Sequence, residues 1–356
     1  MDSLCARKVG LASLRDIWGE LPDAVNRLYR VLCLCSSNGS PKAWRQLFAY
    51  ICRRAAGRSV PAYMWLAPTY RCQCRCPHCY SSAPDRRQHV EMDTERWKAV
   101  LDQAKALGVL EASFSAGEPL MREDIVDLVR HAHDIGLLTR ISTNGLLLTR
   151  ELVGRLKEAG LTQCGVSIDD TDPEVHDRWR GVPGAFGRAL EGIRLLQEAG
   201  IRCQLSTYAA RRLIPEGLER IIALGRELGV MSVFFSFPIA AGRWEDAKDE
   251  LLTEEEKAQV RSLRDMRLVH IEIPTAIYRC CVITKLMMFV SPAGEVTPCP
   301  FTPYVMGNIQ EHSLAEIYRR HCERLTLTCK GHCPLNRPSC REALKEHVAN
   351  VAASLK

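Results

Sequence analysis

From residue 62 onward, apolar and polar positions alternate between two periods. Short apolar runs at 62–69, 110–115, 137–142, 163–169, 201–207 and 231–237 read as strands. Between them, stretches with apolar residues three and four apart read as helices over 93–107, 122–135, 149–159, 185–199 and 215–228, with 170–184 as a loop. Gly108, Gly136, Gly160, Gly200 and Gly229 each follow such a stretch and mark its end. Strand–helix units repeated at this spacing imply parallel strands joined by right-handed crossovers. Such a chain is α/β and makes either an open doubly wound sheet or a partial barrel. In a barrel the chemistry gathers at the C-terminal ends of the strands, where the notable polar motifs of this chain fall.

The flanks carry a different pattern. Residues 1–60 read as helical, with an apolar segment at 28–34 and a turn at 38–41. In the following helix Ser40 is the N-cap, Pro41 the first helical residue and Gly57 the stop. Trp44, Leu47, Phe48 and Ile51 form one stripe on it, with Arg45, Arg53 and Arg54 largely off that stripe. The stripe either packs on the body or forms an amphipathic basic face for a membrane surface, a lipid-like substrate or a partner. After the sixth strand come a turn at 241–243, a charged helix at 253–266, a strand at 268–273, a hairpin over 287–297 and a helix at 313–321. The tail, 341–356, reads as a short polar helix. The organisation expected is a basic helical extension (1–60), a catalytic core (61–245), a cysteine-rich module (246–345) and a tail (346–356).

Composition adds compartment and partners. A chain of 356 residues, 46% hydrophobic and 25% charged, suits one α/β barrel with an appendage. It has no apolar run near the ~18 residues of a membrane span and no signal-peptide pattern, so a cytoplasmic protein is expected. The net charge of +6 arises in residues 1–60, which hold ten Lys/Arg and four Asp/Glu. The remaining chain is balanced, which argues against a nucleic-acid-binding enzyme. Of 17 cysteines, four lie in 72–79 and seven in 280–340. In a reducing compartment such clusters are metal ligands or catalytic groups more often than disulfides. The six scattered others read as small buried hydrophobes or spare thiols.

Cys72, Cys76 and Cys79 stand in a C-x3-C-x2-C spacing just after the first strand. Three thiolates on one short loop can hold three corners of an iron–sulfur cube and leave one iron open. A closed zinc site would need a fourth ligand, Cys74 or His78, at spacings that strain a tetrahedron. Thr69-Tyr70-Arg71-Cys72 followed by Cys76-Pro77-His78-Cys79-Tyr80 resembles the cluster motif of the radical S-adenosylmethionine (radical SAM) enzymes. The resemblance spans roughly residues 62–340 and implies a partial (β/α)6 TIM-like barrel. It also implies a [4Fe–4S] cluster whose open iron takes the amino and carboxylate groups of SAM. One electron, from a donor such as flavodoxin or ferredoxin, then splits SAM to a 5′-deoxyadenosyl radical that abstracts hydrogen from substrate.

Further motifs extend the resemblance. Ala116-Gly117-Glu118-Pro119 is similar to the family's Gly-Gly-Glu-Pro, whose backbone and Glu contact the SAM ammonium; Ala116 replaces its first glycine. By the same resemblance His78, Asn144, Ser167, Asp169 and Arg180 belong to the SAM pocket, with Arg180 toward the SAM carboxylate. Ser206 and Gly242-Arg243 are weaker candidates. Cys281, Gly294-x4-Cys299 and Met306-Gly307-Asn308-Ile309 resemble the opening of a SPASM or twitch module, which holds auxiliary clusters. The later half departs from that pattern, offering Cys322, Cys329-x3-Cys333 and Cys340. One auxiliary [4Fe–4S] cluster on Cys281, Cys299, Cys329 and Cys333 is expected. Cys280 is the substitute for Cys281, and Cys340 for one of the later pair. The substrate expected is a small metabolite, tetrapyrrole or lipid-like molecule. Modification of a ribosomal peptide is the alternative, and a non-catalytic zinc or iron–sulfur sensor is the reading from another class.

Overall fold

The computed structural model describes residues 41–81, 90–265, 267–271, 285–325 and 333–355. The segment at 28–34, the N-cap at Ser40, and Cys280, Cys281 and Cys329 lie outside the described residues. Among the described residues, ten strands form one sheet: β1 (Tyr63–Leu66), β2 (Glu111–Phe114), β3 (Leu138–Thr143), β4 (Gln163–Ser167), β5 (Arg202–Tyr208), β6 (Ser232–Ser236), β7 (Val269–Ile271), β8 (Met287–Val290), β9 (Glu295–Thr297) and β10 (Gly307–Asn308). Their order is β10-β9-β8-β1-β2-β3-β4-β5-β6-β7. From β1 to β7 each strand pairs parallel with the next. A doubly wound sheet reverses its strand order at a switch point; from β1 to β7 the order here runs one way without reversal. Since crossovers between parallel strands are right-handed as a rule, strands laid down in one direction put their helices on one face and let the sheet curl around the other. That is the partial barrel.

The other side of β1 is occupied by β8, parallel and in register, with Tyr63 opposite Met287. The hairpin β8–β9 and the short β10 continue the sheet antiparallel. The first strand of the barrel is therefore an interior strand.

The helices are α1 (Pro41–Ala55), α2 (Thr94–Leu107), α3 (Ile125–Asp134), α4 (Arg150–Glu158), α5 (Pro173–Arg180), α6 (Ala185–Glu198), α7 (Glu216–Glu227), α8 (Glu254–Ser262), α9 (Leu314–Arg324) and α10 (Pro338–Ala353). Their starts follow local chemistry. The side chains of Asp93, Thr149, Thr253 and Ser313 each accept a backbone N–H of the following first turn. The main core lies between sheet and helices around the fully buried Trp97, Phe114, Phe235 and Phe289.

Four sequence expectations change. The loop at 170–184 contains helix α5, started by Asp172, whose carboxylate accepts from Glu174 N and Val175 N, with Pro173 in the first turn. The helix expected from residue 122 begins at Ile125, because Pro119–Met121 forms a 3-10 turn and Arg122 bonds elsewhere. The helix expected to end at 266 stops at Ser262. The short polar tail is the 16-residue α10, which buries Leu344, His347, Val348 and Val351. Its His347 Nε2 lies 2.9 Å from His321 Nδ1 on α9.

Candidate active site

The cysteine loop leaves β1 and is bound to the loop after β2 by main-chain contacts. Gly117 N donates to Thr69 O and Glu118 N to Arg71 O, at 3.2 and 2.7 Å. A Cβ on Gly117 would lie 2.4 Å from Arg71 O, so only glycine permits this approach. Beside it Ala116 has φ +83°, the one positive φ at a non-glycine among the described residues. Arg122 supports the floor: Nη1 donates to Pro68 O and Met92 O, and its other nitrogens fork onto Asp124.

Within the loop Cys72 is exposed, Cys79 half-buried, and Cys74 and Cys76 buried. Nitrogen donors reach the sulfurs from separate elements. Asn144 Nδ2 lies 3.7 Å from Cys72 Sγ, Arg180 Nη1 lies 3.6 Å from Cys76 Sγ, and Cys74 N lies 3.4 Å from Cys72 Sγ. Ser81 Oγ is 3.3 Å from Cys79 Sγ. N–H groups and a guanidinium turned toward thiols suit thiolates that carry a metal–sulfur centre, since such donors offset its charge. Among the described residues no group of three or more His, Cys, Asp or Glu side chains is placed to hold a single metal ion.

Glu118 is fully buried where β2 and β3 end. Its Oε1 accepts from Thr143 Oγ1 at 2.8 Å and Leu120 N at 3.1 Å; its Oε2 accepts from Asn144 N at 2.8 Å. Burial pushes its carboxyl up to about 7, more than these neutral donors and the more distant Arg180 can offset. A carboxylate so placed is complementary to an incoming ammonium.

The β4 end holds a second buried charge group. Asp169 Oδ2 lies 2.9 Å from Arg180 Nε and 3.8 Å from His78 Nε2. Burial opposes the Asp169 charge, but the Arg180 guanidinium outweighs it and holds the carboxyl below its usual range. Burial lowers His78, so its imidazole stays neutral. Ser167 closes β4, half-buried and in register with Ser206 of β5. His176 accepts the Asp169 N–H at Nδ1 at 3.1 Å, and burial drops its pKa to about 4.

Two features were underweighted or missed in the sequence. Arg243 clamps the cysteine loop, its Nη1 donating to Cys76 O at 2.8 Å and its N to Cys79 O at 3.1 Å. Gly242, at φ +60°, permits this: a Cβ there would lie 2.3 Å from Cys79 O. Around His78 stand Trp179, Tyr208 and Trp244, with ring centroids 5.7, 4.9 and 5.6 Å away. Arg212 lies 4.1 Å over the Trp179 ring. These residues come from three separate places in the chain, and no local spacing connects them.

The cysteine-rich module is described in part. Cys299 is buried just after β9; Cys333 and Cys340 are half-buried, before and within α10. Asn336 and Arg341 join this segment to the loop after β6. Ala240 N donates to Asn336 Oδ1, Asn336 Nδ2 donates to Pro238 O, and Arg341 Nη2 donates to Ala240 O.

The profile of the radical SAM superfamily matches residues 66–225, and that of an iron–sulfur cluster-binding domain, SPASM, matches 280–342. An AdoMet-dependent heme synthase of Methanosarcina barkeri is 32% identical over 280 residues, covering 70% of this chain and 80% of that protein. The chain belongs to the radical SAM superfamily. A PqqA peptide cyclase of Rhodopseudomonas palustris is 30% identical over 280 residues, 73% of this chain and 74% of the cyclase. Among solved structures, Streptococcus suis SuiB bound to S-adenosylmethionine has a TM-score of 0.62 at 17% identity, covering 78% of this chain and 74% of SuiB. The likeness to SuiB concerns the fold. This radical SAM protein is an enzyme with a C-terminal SPASM module, which sets aside the non-catalytic sensor reading. The family implies a [4Fe–4S] cluster and SAM at the barrel, and the module implies auxiliary iron–sulfur. Among the described residues, no helix is long and apolar enough to cross a membrane.

Proposed function

We propose that this enzyme performs SAM-dependent radical chemistry on a tetrapyrrole. The observation that carries the substrate class is the similarity to the M. barkeri heme synthase, 32% identity across most of both chains. An Fe-coproporphyrin III synthase of the same organism, 36% identical over 203 residues and half of its length, supports it. Cys72, Cys76 and Cys79 hold the cluster and leave one iron for SAM. Cluster and SAM, when bound and supplied with one electron by a flavodoxin- or ferredoxin-type donor, provide hydrogen-atom abstraction. Glu118 receives the SAM ammonium in place of the water it has lost. Asn144 and Arg180 offset charge at the sulfurs, and Asp169 keeps Arg180 and His78 in position. Ser167 lies at the next strand end, within the same pocket. His78 and its aromatic neighbours Trp179, Tyr208 and Trp244 form an aromatic wall beside the Asp169–Arg180 pair, against which a flat, partly aromatic group can rest. Cys299 and Cys333, with Cys281 and Cys329, hold one auxiliary [4Fe–4S] cluster, and Cys340 is the alternative to one of the later pair.

A specific observation favours a second substrate class. PqqA peptide cyclases are similar at nearly the same level, 30% identity for that of Rhodopseudomonas palustris. The two readings separate in one experiment. Cluster-loaded enzyme is incubated anaerobically with dithionite, SAM and either iron-coproporphyrin III or candidate peptides. The tetrapyrrole should raise 5′-deoxyadenosine well above the SAM-only level, and Cys76→Ala should abolish the rise. A rise with peptide alone would replace the proposal by the second reading.

A further inference from the structure

Alternation along the strands divides the sheet into two faces. Leu66, Phe114, Ile141, Val166, Leu205 and Phe235 are fully buried in the core on the helix side. The residues between them face the concave side, and there the chemistry changes. Trp65, Arg140, Ser142, Ser167, Ser206 and Phe234 are all half-buried. A face that is partly open and mostly polar is not a packed core; it is the wall of a space that something else can enter.

Arg140 stands within this face, in register with Ser113 of β2 on one side and Gln163 of β4 on the other. Its Nη2 donates to Gln204 Oε1 of β5, and Gln204 Nε2 donates in turn to Ser232 Oγ of β6 at 2.8 Å. The guanidinium therefore reaches across β4, and it can do so because residue 165 is glycine. A Cβ there would lie 3.1 Å from Arg140 Nη2 and 3.3 Å from Ser206 Oγ. The partner that fixes the guanidinium is neutral. Arg122, Arg180 and Arg212 each meet a carboxylate; among the described residues Arg140 makes no ion pair. Glu111, the carboxylate on the same face, lies two residues nearer the strand starts. Beside Arg140, Gln163 is buried with its Nε2 unpartnered among the described residues. A guanidinium carries five N–H donors and keeps its charge, so a held, half-buried one with donors to spare is complementary to an anion. Its planar fork matches a carboxylate.

We propose that Arg140 anchors a carboxylate arm of the substrate inside the barrel. The inference rests on the tetrapyrrole reading above and deepens it. Arg140 precedes Asn144, whose side chain reaches Cys72 Sγ, by four residues. At about 3.3 Å per residue the anchor lies about 13 Å along the strand from the SAM end. A tetrapyrrole is a rigid ring with carboxylate arms on its rim. One arm held at the depth of Arg140 fixes which edge of the ring meets the SAM end. Trp65 and Phe234, on the same face, offer the ring apolar contact on the way. Arg140 then determines specificity for an acidic substrate and its orientation.

The test is an anaerobic titration of cluster-loaded enzyme and SAM with iron-coproporphyrin III and, separately, with its tetramethyl ester, followed by porphyrin absorbance. Wild type is expected to bind the acid about tenfold to a hundredfold more tightly than the ester, the range one charge-assisted pair supplies. Arg140→Met should lose most of that preference, through weaker binding of the acid and not of the ester. Arg140→Lys should restore part of it, since the charge returns without the fork. Gly165→Ala keeps the arginine but crowds its guanidinium, and should also lose most of the preference. That variant carries the test where Arg140→Met does not fold. Equal affinity of wild type for acid and ester overturns the inference. So does a wild-type acid preference in the folded Arg140→Met or in Gly165→Ala, and in either case tetrapyrrole binding itself stands. Wild type that binds neither form removes the tetrapyrrole reading, and this inference with it.

Discussion

Glu118 gives the sharpest handle on the SAM site because its environment sets both a sign and a size. Burial raises its folded-state pKa from 4.5 to about 7. For a carboxyl raised on folding, the native state holds the proton more tightly than the unfolded chain. Its contribution to stability is therefore full below the unfolded value and is lost as pH rises through the folded one. Above both values the displacement amounts to about 3 kcal/mol. An ammonium beside the carboxylate relieves part of that cost, so SAM should bind the ionised form. With a pKa near 7 the ionised fraction rises about eightfold between pH 6.0 and 7.5, and SAM affinity should rise with it. The window stops there because a free α-amino group titrates near 8. The measurement is anaerobic equilibrium dialysis of SAM against cluster-loaded enzyme across that range. Glu118→Gln keeps the shape, removes the charge and should flatten the profile. A flat wild-type profile, or the same slope in Glu118→Gln, would refute the assignment of the ammonium to this carboxylate.

Three other outcomes are expected. Ala116 occupies φ +83°, where a Cβ costs about 1 kcal/mol, so Ala116→Gly should stabilise the enzyme by about that much, read by denaturant titration. Asp169→Asn leaves the buried Arg180 without its counter-charge and should destabilise by about 3 kcal/mol; Asp169→Asn combined with Arg180→Met should recover much of the loss. Burial lowers the pKa of His347, so its contribution to stability is present above pH ~6.5 and falls away as pH drops below it; His347→Leu should shrink the acid sensitivity of thermal unfolding.

Much of the frame was legible because the strands are bounded by glycines and by apolar runs. Asp93, Gly108 and Thr149 all act as ends where the sequence suggests ends. Helix α5 was not, although Asp172-Pro173 is a start signal, because its eight residues are too few for a visible period and only His176 and Arg180 are buried. Helix α10 hides for another reason: its buried set includes a histidine, and its burial depends on α9 rather than on its own pattern. In the site, the Gly117 approach follows from residue type at a strand end. The clamp by Arg243 and the rings around His78 do not, since they arise where distant loops converge.

The position of β1 between β2 and β8 has a consequence for biosynthesis. The strand that carries the cysteine loop is made early, yet one of its edges finds its partner only when Met287–Val290 has been synthesised. Until then the nascent chain has one bare edge beside its reactive thiols. Cluster delivery during translation would meet a half-supported loop. A chain truncated before β8 should emerge from the ribosome without the support that the finished sheet gives the loop.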